Sequence, residues 1–145
     1  MPDGRRKSPG AFDFGFFGWF DGCMQIFWIG LFGLGGIFCR YGVDRWLAPT
    51  SAGFPLSTFL INILGCSVAG VIYAVGERGY LSQTLLTGLM VGFCGGFTTF
   101  SAYALQSFDL LQKGKLGMSL GYLFASPALG LLACYVAVLA TRKLI

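Results

Sequence analysis

Four long apolar runs, separated by short polar or Gly- and Pro-containing segments, dominate the chain. They extend from about Met24 to Trp46, Leu56 to Val75, Leu85 to Leu111 and Leu116 to Leu139. Each is about 20 residues or longer, the length an α-helix needs to cross the hydrocarbon core of a bilayer. Such a helix also satisfies its own backbone hydrogen bonds, as lipid demands. The pattern predicts an all-α integral membrane protein with four transmembrane helices per subunit. The connections are short: Pro49 to Pro55, then Glu77, Arg78 and Gly79, then Lys113 and Lys115. An even number of crossings puts both termini on one side.

Ahead of the first run, residues 1–11 are polar and rich in Gly and Pro, a composition that predicts disorder. Residues 12–22 carry Phe12, Phe14, Phe16, Phe17, Trp19 and Phe20, rings that suit the membrane interface; a tail without a function fits them equally. The expected division is therefore an N-terminal extension over 1–22, partly disordered or interfacial, and a four-helix domain over 23–145. Arg5, Arg6 and Lys7 resemble the start of a targeting signal. No apolar stretch after them ends in a small-residue cleavage site, so the segment is expected to be retained.

Composition sharpens the membrane assignment. The 145-residue chain is 55% hydrophobic and 11% charged, against roughly 25% charged in ordinary soluble domains. So few charges could not cover that much apolar surface in water. The net charge of +4 is spread over the short polar segments, which excludes nucleic acid as a partner. The five cysteines are widely spaced within or beside apolar runs and read as small packing residues. There is no His and no CxxC, which excludes a zinc or haem site.

Basic residues are nearly balanced across the membrane. Arg5, Arg6, Lys7, Arg78, Arg142 and Lys143 fall on the terminal side, and Arg40, Arg45, Lys113 and Lys115 on the other. Without the tail, the bias for the positive-inside rule disappears. A chain with so little preference can insert both ways, and two copies can then pair antiparallel. Small residues recur four apart at Gly88/Gly92, Gly65/Ala69 and Ser126/Gly130, a spacing that favours close helix contact.

The polar residues inside the spans are the candidates for chemistry. Asn62 is an amide in an otherwise apolar run. It serves either as interhelical glue or as an N–H donor to an anion. The segment Gly92-Phe-Cys-Gly95-Gly96-Phe97-Thr98-Thr99-Phe100-Ser101 is a poor helix interior, because Gly and β-branched Thr both lower helix propensity. It predicts that the third helix is broken near the midplane, freeing carbonyls that another chain or an ion must satisfy. Phe97, Phe100 and Tyr103 follow three apart on one face. Such a stripe is usually packing, yet ring edges carry partial positive charge and suit a desolvated anion. Tyr122, Ser126 and Gly130 share a face of the last run. Pro127 removes the N–H that would bond the Leu123 carbonyl, which predicts a kink.

Absences narrow the function. No Asp or Glu falls in the centre of a span, whereas a proton-coupled exporter needs a buried carboxylate as relay. No Lys or Arg falls there either, and conduction needs weak serial sites rather than one strong cationic trap. Asn62, Ser101, Ser126, Thr58 and Tyr122 form a neutral donor set suited to a small hard anion. Arg40, near the end of the first span, either draws anions into a vestibule or anchors at the interface.

These residues resemble the CrcB/Fluc family of fluoride channels. The resemblance covers about Gly33 to Arg142 and rests on Gly35-Gly36 with Arg40-Tyr41, Pro55-Leu-Ser-Thr58 leading to Asn62 and Gly65, the GGFTTFS block at 95–101, and Tyr122, Ser126 and Gly130. It implies a multi-pass protein of the inner (plasma) membrane, built as an antiparallel, dual-topology homodimer with two pores. It implies passive export of fluoride past Asn62, Phe100 and Tyr103, with Tyr122 and Ser126 as a hydroxyl track and Arg40 as the first-helix arginine. It also implies a structural Na⁺ at the dimer interface, held by the backbone carbonyls of Gly95 and Thr98. The chain departs from the family where Ser101-Ala102-Tyr103 replaces Ser-Thr-Phe, Gln106 stands for a frequent Glu, and Gly130 stands for a Ser; these changes are expected to tune conduction. Two other readings remain to be separated from a channel: a dual-topology proton-coupled exporter and a packing subunit without transport. No base, nucleophile pair or metal cluster supports an enzyme.

Overall fold

The computed structural model describes residues 19–47 and 53–145, with side chains from Gly22 onward. The expectations for residues 1–18 and for most of the Pro49–Pro55 connection lie outside that range. All regular structure among the described residues is helical, and four stretches are long and apolar enough to span a membrane. The first is α1 (Trp19–Trp46) and the second α2 (Leu56–Glu77). The third span, Gln83–Gln112, is composite. It consists of α3 (Gln83–Thr87), a π-helical segment (Gly88–Cys94), α4 (Gly95–Phe97) and α5 (Phe100–Gln112). The fourth is α6 (Leu116–Leu144). The helices overrun the apolar runs by up to five residues because helical turns continue into the interface, where polar side chains reach water.

The turns between spans follow from local chemistry. Gly114 has φ 70°, open to glycine without steric cost. It closes α5 in a Schellman arrangement, with Lys115 N–H donating to the Leu110 carbonyl (2.9 Å) and Gly114 N–H to that of Leu111 (3.0 Å). Gly79, at φ 74°, turns the chain after α2. Ser82 caps α3 by accepting from Leu85 N–H at 3.3 Å. Glu77, placed in a connection by sequence pattern, is instead the last residue of α2. Its carboxylate accepts two bonds from Arg142 at the end of α6, 2.6 and 3.0 Å. That pair brings the ends of α2 and α6 to one side, as the even crossing count requires.

The spans pack as two pairs. α2 lies along α6, and α1 lies along the π segment and α4. Glycines set the second contact. A methyl on Gly92 would sit 2.6 Å from the Ile29 carbonyl oxygen, and one on Gly96 would sit 2.6 Å from that of Gly33. Gly36 faces the backbone of Phe93 and Phe97 equally closely. The small-residue spacing at 88/92 therefore serves contact between helices of the same chain, and Gly92's working partner is Gly96. Gly88 meets the Trp28 and Phe32 side chains first. Gly65 receives the Thr98 methyl, and Gly130 faces Cys66. The outward faces of all four spans carry large apolar side chains, among them Phe38, Leu64, Leu105, Phe124 and Leu131. In water this surface would be untenable; in a bilayer it is the expected exterior.

Candidate functional site

The third span breaks as the sequence predicted, but not at the glycines. Gly95 is helical (φ −64°, ψ −37°), and Gly96 lies within α4. The extended residues are Thr98 (φ −80°, ψ 161°) and Thr99 (φ −149°, ψ 112°). Gly96 answers to close packing on α1 rather than to chain reversal. Thr98 and Thr99 take the break because their β-branched side chains favour extended backbone and their hydroxyls can replace helical partners. Thr98 Oγ1 donates to the Cys94 carbonyl (2.8 Å), and Thr99 Oγ1 accepts from Ala102 N–H (3.3 Å), capping α5.

Asn62 on α2 completes the repair. Its Oδ1 accepts from Thr99 N–H at 2.9 Å, and its Nδ2 donates to the Thr99 carbonyl at 3.3 Å. The amide thus acts toward Thr99 as a neighbouring strand would. Of the two roles open to Asn62 in the sequence, the bridging one is present in the fold. The second N–H on Nδ2 has no protein partner among the described residues, so the donor role is compatible with it.

The break redistributes backbone charge. In an unbroken helix, Thr99 N–H would serve the Gly95 carbonyl and Ala102 N–H would serve that of Thr98. Here those donors go to Asn62 and to the Thr99 hydroxyl. The carbonyls of Gly95, Gly96, Phe97 and Thr98 therefore all stand at the break without the donors an unbroken helix would supply from Thr99, Phe100, Ser101 and Ala102. Neutral carbonyl oxygens at the C-terminal end of a helix suit a hard cation. On the other side of the break, α5 starts inside the span with its N–H groups and positive dipole end, which favours an anion.

An aromatic and hydroxyl cluster flanks the α5 start. Phe100 is 80% exposed and lies 5.7 Å from the Tyr103 ring. Tyr103 meets Tyr122 edge-on at 5.1 Å, and Phe54 and Phe59 pack on Tyr122 at 5.5 and 6.3 Å. The Tyr122 hydroxyl donates to Gln106 Oε1 at 3.2 Å, and the Tyr103 hydroxyl donates to the Leu123 carbonyl at 2.7 Å. Thr58, Tyr122 and Ser126 are buried within the chain, at 4%, 1% and 5% exposure. Ser101 is exposed on the first turn of α5. Arg40 is half-buried near the C-terminal end of α1 and takes no part in the cluster's hydrogen bonds.

Several contributors were not singled out as functional in the sequence. Gln106, marked in the sequence only as a departure from the family's frequent Glu, is the partner of Tyr122. Phe54 lies ahead of α2 and gave no signal. Ser119 bonds the Ser107 carbonyl at 2.8 Å and ties α6 to α5. The π segment was also unforeseen. Wide π turns recur at functional sites, and this one carries Gly92 against α1. α6 runs through Pro127 as one continuous helix.

Relatives place this architecture. A 113-residue match to a protein of Bacteroides fragilis named fluoride-specific ion channel FluC is 43% identical and covers 75% of this chain and 89% of that protein. Proteins of the same name from Chlorobium chlorochromatii (36% over 123 residues, 84% of this chain and 95% of the relative) and Chlorobium phaeobacteroides (39% over 112 residues, 74% and 84%) are similar as well. The profile described as "CrcB-like protein, Camphor Resistance (CrcB)" matches residues 27–138, which reaches from within the first span to within the fourth and contains the break and Asn62. This four-span membrane chain belongs to the CrcB family.

Proposed function

We propose that the chain is a fluoride-selective channel that lowers cytoplasmic fluoride by passive export across the cell membrane. The observation that carries this reading is the broken third span. It sets an uncharged donor environment (Asn62, the α5 N-terminus and the Phe100–Tyr103–Tyr122 cluster) inside the apolar layer. The relatives named as fluoride-specific ion channels support fluoride as the ion. All described acidic residues lie near span ends. Asp109 is paired with Lys113 and Glu77 with Arg142, leaving no mid-membrane carboxylate to relay protons.

The working unit in this reading is an antiparallel, dual-topology homodimer with two pores. The near balance of basic residues supports it, as do the exposed Gly95 and Phe100 beside the break. A structural Na⁺ at the dimer interface fits the donor set: Gly95 and Thr98 would hold it through backbone carbonyls, and the ion would neutralise the carbonyl ends that meet there. Fluoride would pass Asn62, Ser101, Phe100 and Tyr103, with Tyr122, Ser126 and Thr58 as the hydroxyl lining and Arg40 attracting anions at the mouth. The experiment is fluoride efflux from vesicles holding the purified protein, with and without a pH gradient. Efflux that follows the fluoride and voltage gradients alone is expected. Efflux that requires a proton gradient would establish an exporter, and none at all a non-transport subunit.

A further inference from the structure

Pro127 and Tyr103 form a matched pair. Pro127 sits inside α6 and has no N–H for the carbonyl four residues back, Leu123. In lipid an unsatisfied carbonyl is costly. The Tyr103 hydroxyl, projecting from α5, donates to that carbonyl at 2.7 Å. The same ring lies between Phe100 and Tyr122, in the cluster assigned above to the anion path. A hydroxyl has one hydrogen. If an anion takes it, Leu123 loses its partner; while Leu123 holds it, the anion meets the phenolic oxygen.

We propose that the Tyr103 hydroxyl is an exchangeable donor, resting on the Leu123 carbonyl and transferring its hydrogen bond to fluoride in transit. The inference rests on the channel reading. Competition from Leu123 keeps the Tyr103 site weak, as a conducting site must be. Pro127 is what makes Leu123 a competitor, since any other residue there would supply its own N–H. Pro127 thereby sets the affinity of a site on a different helix. Tyr103 is a specificity-determining residue and Pro127 a positioning residue acting through it.

The test is a double-mutant cycle on the reconstituted full chain with Tyr103→Phe, Pro127→Ala and the double variant. Pro127→Ala returns a donor to Leu123 and frees the Tyr103 hydroxyl for the anion. The fluoride concentration that half-saturates flux is expected to fall by about tenfold, the worth of one hydrogen bond. In the Tyr103→Phe background the same substitution is expected to leave it unchanged. Equal shifts in both backgrounds, or no shift in either, overturn the proposal. A second reading uses the carbon-13 carbonyl resonance of Leu123 in bilayers. Sodium fluoride is expected to move it in the wild type and not in Tyr103→Phe, with sodium chloride inert. A carbonyl unmoved by fluoride in the wild type makes the hydroxyl a fixed cap and overturns the proposal. Wild-type vesicles that release no fluoride would instead remove the channel reading itself.

Discussion

A methyl group added at Gly96 would lie 2.6 Å from the Gly33 carbonyl oxygen and 3.3 Å from its carbon. Ordinary contact at such a position begins at 3.4 Å, so α1 and α4 would have to separate by most of an ångström. Neither side can yield by a rotamer change, because the obstacle is backbone. Overpacking of this kind costs about 1–3 kcal/mol, and a backbone obstacle places Gly96→Ala near ~3 kcal/mol. Gly95→Ala is the internal control, since a methyl there meets nothing within 4 Å in the single chain. The assay is reversible unfolding in mixed detergent micelles, following the tertiary signal of Trp28 and Trp46. Gly96→Ala is expected to lower stability strongly, whereas Gly95→Ala is expected not to lower it. Equal stability losses for the two alanines, or a Gly96→Ala protein as stable as the wild type, would refute the packing argument.

Three further outcomes follow from the site. Asn62→Leu removes both bonds to Thr99, and in a membrane each interhelical bond contributes ~0.6–2 kcal/mol. A loss of about 1–3 kcal/mol is expected, together with faster amide exchange at Thr99; unchanged exchange there would contradict the bridging role. Thr99→Val keeps the shape and deletes the cap on Ala102 N–H, for an expected loss of ~1 kcal/mol in the same unfolding assay. Glu77→Gln removes a charge at the membrane edge, remote from the break, and is expected to leave the fluoride efflux rate as it was; a severalfold change in rate would mean that the α2–α6 end contact acts on the path.

The number and order of spans were legible because 20-residue apolar runs have few readings in a chain this poor in charge. The break was legible in kind, since Gly and β-branched Thr both weaken a helix. The segment that holds it was legible too, but not which of its residues take the extended backbone. Propensity penalises Gly95 and Gly96 most, yet Gly96 is helical because Gly33 of α1 passes against it, a contact between residues 63 apart in sequence. Asn62 shows the same limit: its burial in an apolar run marked it as important, but only the fold reveals that Thr99 is its partner. Pro127 could be read as leaving Leu123 without a donor. That the missing donor comes from Tyr103 required knowing that α5 lies beside α6. Hydrogen bonds across elements are set by packing register, which a single sequence does not display.

The most direct test of the central claim is passive anion release from vesicles containing only this protein, with a potassium ionophore to carry the countercurrent and equal internal fluoride and chloride. The expected result is rapid loss of fluoride with chloride retained. Fluoride retention, or release of both halides at similar rates, would contradict a fluoride-selective path through the broken third span.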